Sequence, residues 1–144
     1  MGVFSDCAKL YEVTLGKRTR VMDKMFENTA VKSIVIYGDM VADSAFAGCT
    51  ELESVVIKND VTYVGDSCFK GCTSLESFTA EGVVEQIASY AFYGCSSLES
   101  FTFPNCTVAI GDAVLGDTGV SSITFGKRPF FPPWASRFLR VRPR

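Results

Sequence analysis

Three stretches of this chain, GCTELESVVI, GCTSLESFTA and GCSSLESFTF, begin at Gly48, Gly71 and Gly94, each 23 residues after the last. A tandem period this short constrains the fold strongly, because one unit cannot bury its own apolar face and must stack on its neighbours. The register extends both ways if Cys, Asn and Asp are allowed at one position, which gives Cys7, Asn28, Cys49, Cys72, Cys95 and Asp117. Three residues on from these lie Leu10, Val31, Leu52, Leu75, Leu98 and Val120. After them come Val13, Ile34, Val55, Phe78, Phe101 and Ile123, then Leu15, Ile36, Ile57, Ala80, Phe103 and Phe125.

The second half of each unit places an aliphatic residue five positions before a large apolar one: Val21 and Phe26, Val41 and Phe46, Val64 and Phe69, Ile87 and Phe92, Ile110 and Leu115. Between them stands Asp23, Asp43, Asp66, Ser89 or Asp112, residue types that cap a short helical turn by accepting backbone N–H bonds. Each unit therefore reads as a short strand, a crossing and a short 3-10 or helical turn. About five and a half units of 21–23 residues fill positions 1–126. The predicted fold is a right-handed α/β-like repeat solenoid, with a curved parallel β-sheet on one side and the short turns on the convex side.

Two segments carry a family resemblance: Cys95-Ser96-Ser97-Leu98 through Phe103-Pro104 to Ile110-Gly111, and Val64-Gly65-Asp66-Ser67-Cys68-Phe69-Lys70-Gly71-Cys72. They resemble the BspA-type leucine-rich repeat, in which Cys or Asn precedes L-x-x-I-x-L-P and the unit closes with I-G-x-x-A-F-x-x-C. The commoner leucine-rich pattern does not fit, since its Asn or Cys position is held by Arg18, Asp39, Asp60, Val83, Cys106 and Arg128. The resemblance implies a module that holds proteins, and members of the family are often surface antigens adhering to host or matrix proteins.

The chain has no histidine, which removes Ser-His-Asp and Cys-His catalysis and every His-ligated metal site. No phosphate loop or dinucleotide fingerprint is present, and the recurring Asp residues follow the repeat. The sequence thus predicts a non-enzyme without cofactor, metal or small-molecule substrate. The cysteines in repeat register read as an inward ladder of free thiols, and Cys68 shares a small-residue core position with Ala45 and Ala91. A Cys49–Cys72 or Cys72–Cys95 disulfide is the alternative, since adjacent coils lie within bridging range.

Alternation along each strand turns Ser33, Ser54, Val56, Ser77, Thr79, Ser100 and Thr102 outward as a flat candidate face for a protein partner, with Glu53, Glu76 and Glu99 as an acidic rim. This predicts a protein-interaction scaffold; a surface adhesin is the alternative. Residues 1–126 hold eight Lys/Arg against sixteen Asp/Glu, whereas 127–144 hold six Lys/Arg and no acid. That basic, proline- and aromatic-rich tail reads as a cap, formed by Phe130, Phe131 and Trp134, or as a docking arm. Its candidate contacts are Phe131, Trp134, Arg137, Arg140 and Arg142, through which nucleic acid or an anionic membrane could be reached; a non-native extension is the third reading. The start, MGVFSDCAKLYEV, lacks the pattern of a secretory signal, so an intracellular place is expected ahead of the cell surface.

Overall fold

A computed structural model describes residues 2–127 as a parallel β-solenoid. Its strands are β1 (Ser33–Ile36), β2 (Met40–Val41), β3 (Ser54–Ile57), β4 (Val61–Val64), β5 (Ser77–Ala80), β6 (Val84–Ile87), β7 (Ser100–Phe103), β8 (Ala109–Ile110) and β9 (Ser122–Phe125). Odd-numbered strands build the first side of the solenoid, in order β1-β3-β5 followed by a separate β7-β9 pair. The crossing, to which the sequence reading assigned no strand, forms a second parallel sheet, β2-β4-β6-β8. Each coil therefore has three legs: strand, strand and turn.

No helix occurs among the described residues, so the helical turns expected of the third leg are corrected to a run of plain turns. Positive φ at Lys24, Ser44, Ser67, Tyr90 and Ala113 (50–59°) breaks the helical path once per coil. The amides then alternate. Met25 and Glu27 bond within their own coil, to Met22 and Lys24 carbonyls, while Lys24, Phe26 and Asn28 donate to Asp43, Ala45 and Ala47 of the next coil at 2.8–3.0 Å. The same alternation recurs at Ser44, Phe46 and Gly48 and at Ser67, Phe69 and Gly71.

The Asp and Ser residues do accept backbone amides, but across coils rather than within their own turn. Asp23 takes the Asp43 N–H at 3.2 Å, Asp43 the Asp66 N–H at 2.8 Å, and Ser89 the Asp112 N–H at 3.0 Å. Asp43 also accepts the Tyr63 hydroxyl. Burial, and then this hydrogen bond, push the Tyr63 phenol up to about 12.

A second positive φ closes each turn leg, at Asp6, Asn28, Gly48, Gly71, Gly94 and Asp117. This series corrects the repeat register by one residue. Asn28 and Asp117 occupy the glycine position, which Asn and Asp tolerate better than other side chains, and the thiol position in their coils belongs to Thr29 and Thr118. Both coils are one residue short after that point, ahead of Val31 and Val120, so spacing alone put the gap on the wrong side.

The core follows from this stacking. Phe4, Phe26, Phe46, Phe69 and Phe92 form one column with ring centroids 5.3–5.5 Å apart, slightly wider than the roughly 4.8 Å strand spacing. Beside it, the thiols of Cys49, Cys72 and Cys95 donate to the carbonyls of Phe26, Phe46 and Phe69, each at 3.1 Å. Thr29 and Thr118 instead donate within their own coil, to the Phe26 carbonyl at 2.9 Å and the Leu115 carbonyl at 2.8 Å. All six cysteines are free, and Cys49, Cys68, Cys72 and Cys95 are buried. Cys7, expected in the inward ladder, is exposed because no coil lies outside its own among the described residues.

The end coils differ from the interior. Residues 10–15 form no strand and meet the next coil through Ala30 and Lys32, whose amides donate to Leu10 and Tyr11. In β9 the expected inward residues Ile123 and Phe125 are 50% and 49% exposed. A strand paired on one side only has lost half of its cover. The tail residues Phe130, Phe131, Trp134, Phe138, Arg137, Arg140 and Arg142 lie outside the described residues.

Burial raises the Cys49 and Cys68 thiols above their ordinary value, and burial followed by the neighbouring Cys95 raises Cys72 well above it. Folded chains thus hold these protons more tightly than unfolded ones. Their contribution to stability is full below the unfolded thiol value near 9 and is lost as pH rises from there towards the folded values. Urea unfolding is expected to give constant stability from these groups up to about pH 8, then a fall of about 1.4 kcal/mol per pH unit for each thiol released. Replacing Cys49 and Cys72 by Ala should flatten that fall. A thiol reagent at neutral pH should label Cys7 rapidly and leave Cys49, Cys68, Cys72 and Cys95 intact until the chain is denatured.

Candidate functional site

The first side of the solenoid presents the small-residue face. Parallel pairing sets Ser33 opposite Ser54 and Ser54 opposite Ser77, and continues Val35, Val56 and Thr79 in the adjacent column. In the separate pair, Ser100 meets Ser122 and Thr102 meets Thr124. Their inward neighbours Ile34, Val55, Phe78 and Phe101 are buried, as strand alternation requires. Ser33, Ser77, Thr79, Ser100 and Thr102 are exposed, whereas Ser54 and Val56, in the central strand, are half-buried. Position within the sheet accounts for the difference.

Lys32, Glu53 and Glu76 precede the strands in one column, held by bonds from the Glu53 amide to the Lys32 carbonyl and from the Glu76 amide to the Glu53 carbonyl at 2.8 and 2.9 Å. Glu99 continues the column on the next coil. All three glutamates are exposed. Among the described residues the one ion pair joins Lys58 to Glu81, on other positions of the coil. The column therefore carries three carboxylates without a bound cation partner.

The sequence did not anticipate the interruption of this face. No ladder joins β5 to β7, although β3 pairs β5 and β7 pairs β9 throughout. In the other coils the residue just after the strand closes the ladder: Lys58 donates to Ile36, Glu81 to Ile57 and Gly126 to Phe103, at 2.8–2.9 Å. The equivalent residue between them is Pro104, which has no N–H. The bond made by Glu53, Glu76 and Ser121 at the strand start likewise has no counterpart at Glu99.

Side-chain size adds to the separation. Ile34 and Val55 are succeeded by Phe78 and Phe101, whose rings stack with centroids 6.0 Å apart, wider than strand spacing. The coils remain joined on either side of the gap. Ser97 Oγ donates to the Thr73 carbonyl at 2.6 Å, and the Val84 amide to the Asn105 carbonyl at 3.2 Å. What opens is a cleft of about 380 Å³ in the sheet face, lined by Glu76, Ser77, Thr79, Ser100, Thr102 and Asn105 together with the strand residues Phe78, Phe101 and Phe103, whose side chains stay buried. Of the candidate residues, the fold gathers Glu76, Ser77, Thr79, Ser100 and Thr102 here. Ser33, Ser54, Val56 and Glu53 lie on the flat part of the sheet beyond. The proline in ladder register was the signal available in the sequence.

The chemistry on offer is that of a recognition surface: hydroxyls, carboxylates and one amide. Among the described residues no group of three or more Cys, Asp or Glu side chains is placed to hold a metal ion. No helix of the described residues is long and apolar enough to cross a membrane.

The family described as the BspA type leucine rich repeat region matches the chain in six copies, over residues 1–41 and 23–129. None of the curated proteins matches it. Among solved structures, a leucine-rich repeat protein of Bacteroides capillosus is similar at TM-score 0.54 and 18% identity, over 62% of this chain and 64% of its own. The pneumococcal vaccine antigen PcpA is similar at TM-score 0.52 and 18% identity, over 68% of this chain and 31% of its own. A leucine rich cell surface protein of Faecalibacterium prausnitzii gives TM-score 0.45 at 20% identity, over 80% of this chain and 46% of its own. The matched region thus spans less than two thirds of each of these proteins.

Glu53 and Glu76 are adjacent like charges on one face, an arrangement that is mildly destabilising. Glu76→Lys is expected to raise the unfolding free energy by about 0.2–1 kcal/mol. Denaturant unfolding at low salt measures it, and the gain should shrink in 1 M salt as screening removes the repulsion.

Proposed function

Because this chain belongs to the BspA-type leucine-rich repeat family, we propose that it is a non-catalytic binding module that holds a protein partner against the first sheet. The observation that carries this reading is the in-register face itself. Ser33, Ser54 and Ser77, with Val35, Val56 and Thr79, form continuous columns of short side chains on a backbone fixed by ladder bonds from below and beside. Short side chains lose little rotamer freedom when covered, and a rigid sheet has little ordering left to undergo on binding. Both features favour a docking role.

A second reading is display at a cell surface, with the partner supplied by a host or matrix. The family resemblance supports it, as does the similarity in fold to a pneumococcal vaccine antigen. Nothing comparable supports the intracellular place expected from the first residues. Docking to nucleic acid or to an anionic membrane would depend on Phe131, Trp134, Arg137, Arg140 and Arg142, which lie outside the described residues.

The partner is best sought by capture from the native source and from extracellular matrix preparations in parallel, followed by surface variants. Ser54→Arg, Ser77→Arg and Ser100→Arg together should leave the melting temperature within a few degrees of the parent. They should also weaken a sheet-face partner at least a hundredfold, by steric and charge conflict. Titration calorimetry with the captured partner reads the change. Equal affinity of a folded triple variant would place the interface on another side of the solenoid.

A further inference from the structure

We propose that residues 128–140 complete the coil that β9 begins, as a closing unit that covers the C-terminal end of the solenoid and stops a further coil from stacking on it. The basic segment is then part of the fold, not a docking arm. The family match ends at residue 129, and the residues beyond it depart from the repeat in ways that suit an outermost coil.

The described end is open on all three legs. On the sheet side Ile123 and Phe125 are about half exposed, whereas Phe101 and Phe103 one coil earlier are buried. On the second leg the Glu85 and Ile87 carbonyls receive the Val108 and Gly111 amides at 2.9 and 2.8 Å, but the equivalent Val108 and Ile110 carbonyls receive none among the described residues. On the turn leg the Tyr90, Phe92 and Gly94 amides donate to Asp112, Val114 and Gly116. Their equivalents at Ala113, Leu115 and Asp117 find no such acceptor among the described residues. The path across this end is already set, because Lys127 donates to Asn105 Oδ1 at 2.7 Å and accepts the Cys106 amide at 2.9 Å, so the chain leaves β9 along the second leg.

The repeat register supplies what the end lacks. In the preceding coil the spacing is 22 where Asn105 meets Val83 and returns to 23 where Ala109 meets Gln86. The same return after Lys127 sets Phe131 on Val108, Pro133 on Ile110, Trp134 on Gly111 and Phe138 on Leu115. Phe131 and Trp134 then carry the two amides that the Val108 and Ile110 carbonyls can receive. Pro133 and Phe138 keep the five-residue offset of the turn half, and Phe138 extends the phenyl column beyond Leu115.

The departures are those an inner coil could not tolerate. Pro129 stands at the place of Cys106, whose amide serves the coil ahead, so its missing N–H leaves nothing unpaired only in a last coil. Arg137 falls in the column of Ala45, Cys68, Ala91 and Val114, all buried. Another coil would entomb its charge, whereas on an outermost coil the stem lies over the core and the guanidinium reaches water. A terminal repeat with a polar outer face is what a solenoid end requires.

The test uses the full chain and hydrogen exchange followed by NMR, with the single Trp134 as a second reporter. The Leu115 and Asp117 amides should exchange at least a hundredfold more slowly than exposed peptide amides, equally at low and high protein concentration. Acrylamide should quench Trp134 at least threefold less in the native chain than in urea. Phe138→Asp should abolish the protection of Leu115 and Asp117 and leave that of Val55 and Ile57 intact. Pro129→Thr with Arg137→Leu should raise self-association at least tenfold in sedimentation, since the outer face is then apolar and the edge can donate.

Unprotected Leu115 and Asp117 together with a freely quenched Trp134 in the parent chain overturn the closing coil without recourse to any variant. Protection that Phe138→Asp leaves unchanged overturns the register. Protection that rises with protein concentration assigns the end to a second copy and overturns the proposal. Failure here leaves the sheet-face reading standing, since neither measurement touches Ser33, Ser54 or Ser77.

Discussion

The hydrogen bonds that run from each turn leg to the next coil are the constraint on which the rest of the structure depends. A helix satisfies its amides internally, but here Lys24, Phe26 and Asn28 donate to carbonyls one coil away, and each later coil repeats the pattern. Because a buried backbone group without a partner is costly, the spacing between coils cannot drift. Every other feature inherits that spacing. Phenyl rings stack because equivalent residues must lie one coil apart, and the thiols of Cys49, Cys72 and Cys95 reach carbonyls of the preceding coil for the same reason.

Fixed spacing also explains why one absent donor matters so much on the sheet side. Where Lys58, Glu81 and Gly126 close the ladder, Pro104 cannot, and the adjacent phenyl rings of Phe78 and Phe101 need more room than the ladder allows. The turn leg and the second sheet hold the same two coils at their usual distance, through Tyr90, Phe92 and Gly94 on one side and β6 and β8 on the other. Opening is therefore confined to one leg. It becomes a bounded cleft instead of a fracture through the solenoid.

Much of this was legible in the residues. Val55 and Ile57 inward with Ser54 and Val56 outward follow from strand parity, and the columns Phe46-Phe69-Phe92 and Cys49-Cys72-Cys95 follow from a constant offset. Parity and offset are properties that sequence preserves. The register at Asn28 and Asp117 was not legible in spacing, because a one-residue gap can fall on either side of a position and only the positive φ decides it. The second sheet escaped because β2 and β8 are two residues long, and β4 and β6 bury their first and last residues (Val61 and Val64, Val84 and Ile87) instead of alternating. The turns looked helical since Asp and Ser at a turn start mimic a cap, whereas their acceptors serve the neighbouring coil. Of the candidate face, the outward residues could be read, but the gap between Ser77 and Ser100 required knowing which amide closes each ladder.

The direction of the turn-leg bonds gives the solenoid a polarity. Every cross-coil bond from an amide to a backbone carbonyl in that leg points towards the C-terminal neighbour, from Asp6 to Glu27, Asn28 to Ala47, Gly48 to Lys70, Gly71 to Tyr93 and Gly94 to Gly116. Within that leg, cutting between two coils would thus leave the donors of these bonds on one cut face and their carbonyls on the other. A duplicated coil slipped into the cut would find both sets complementary, so lengthening by whole coils preserves the ladder while a single-residue insertion within the leg does not. Evolution by unit copying is built into the backbone itself. The junction at Pro104 is the exception on the sheet side, since a copy of that coil would carry its missing amide along and open a second cleft one coil further on.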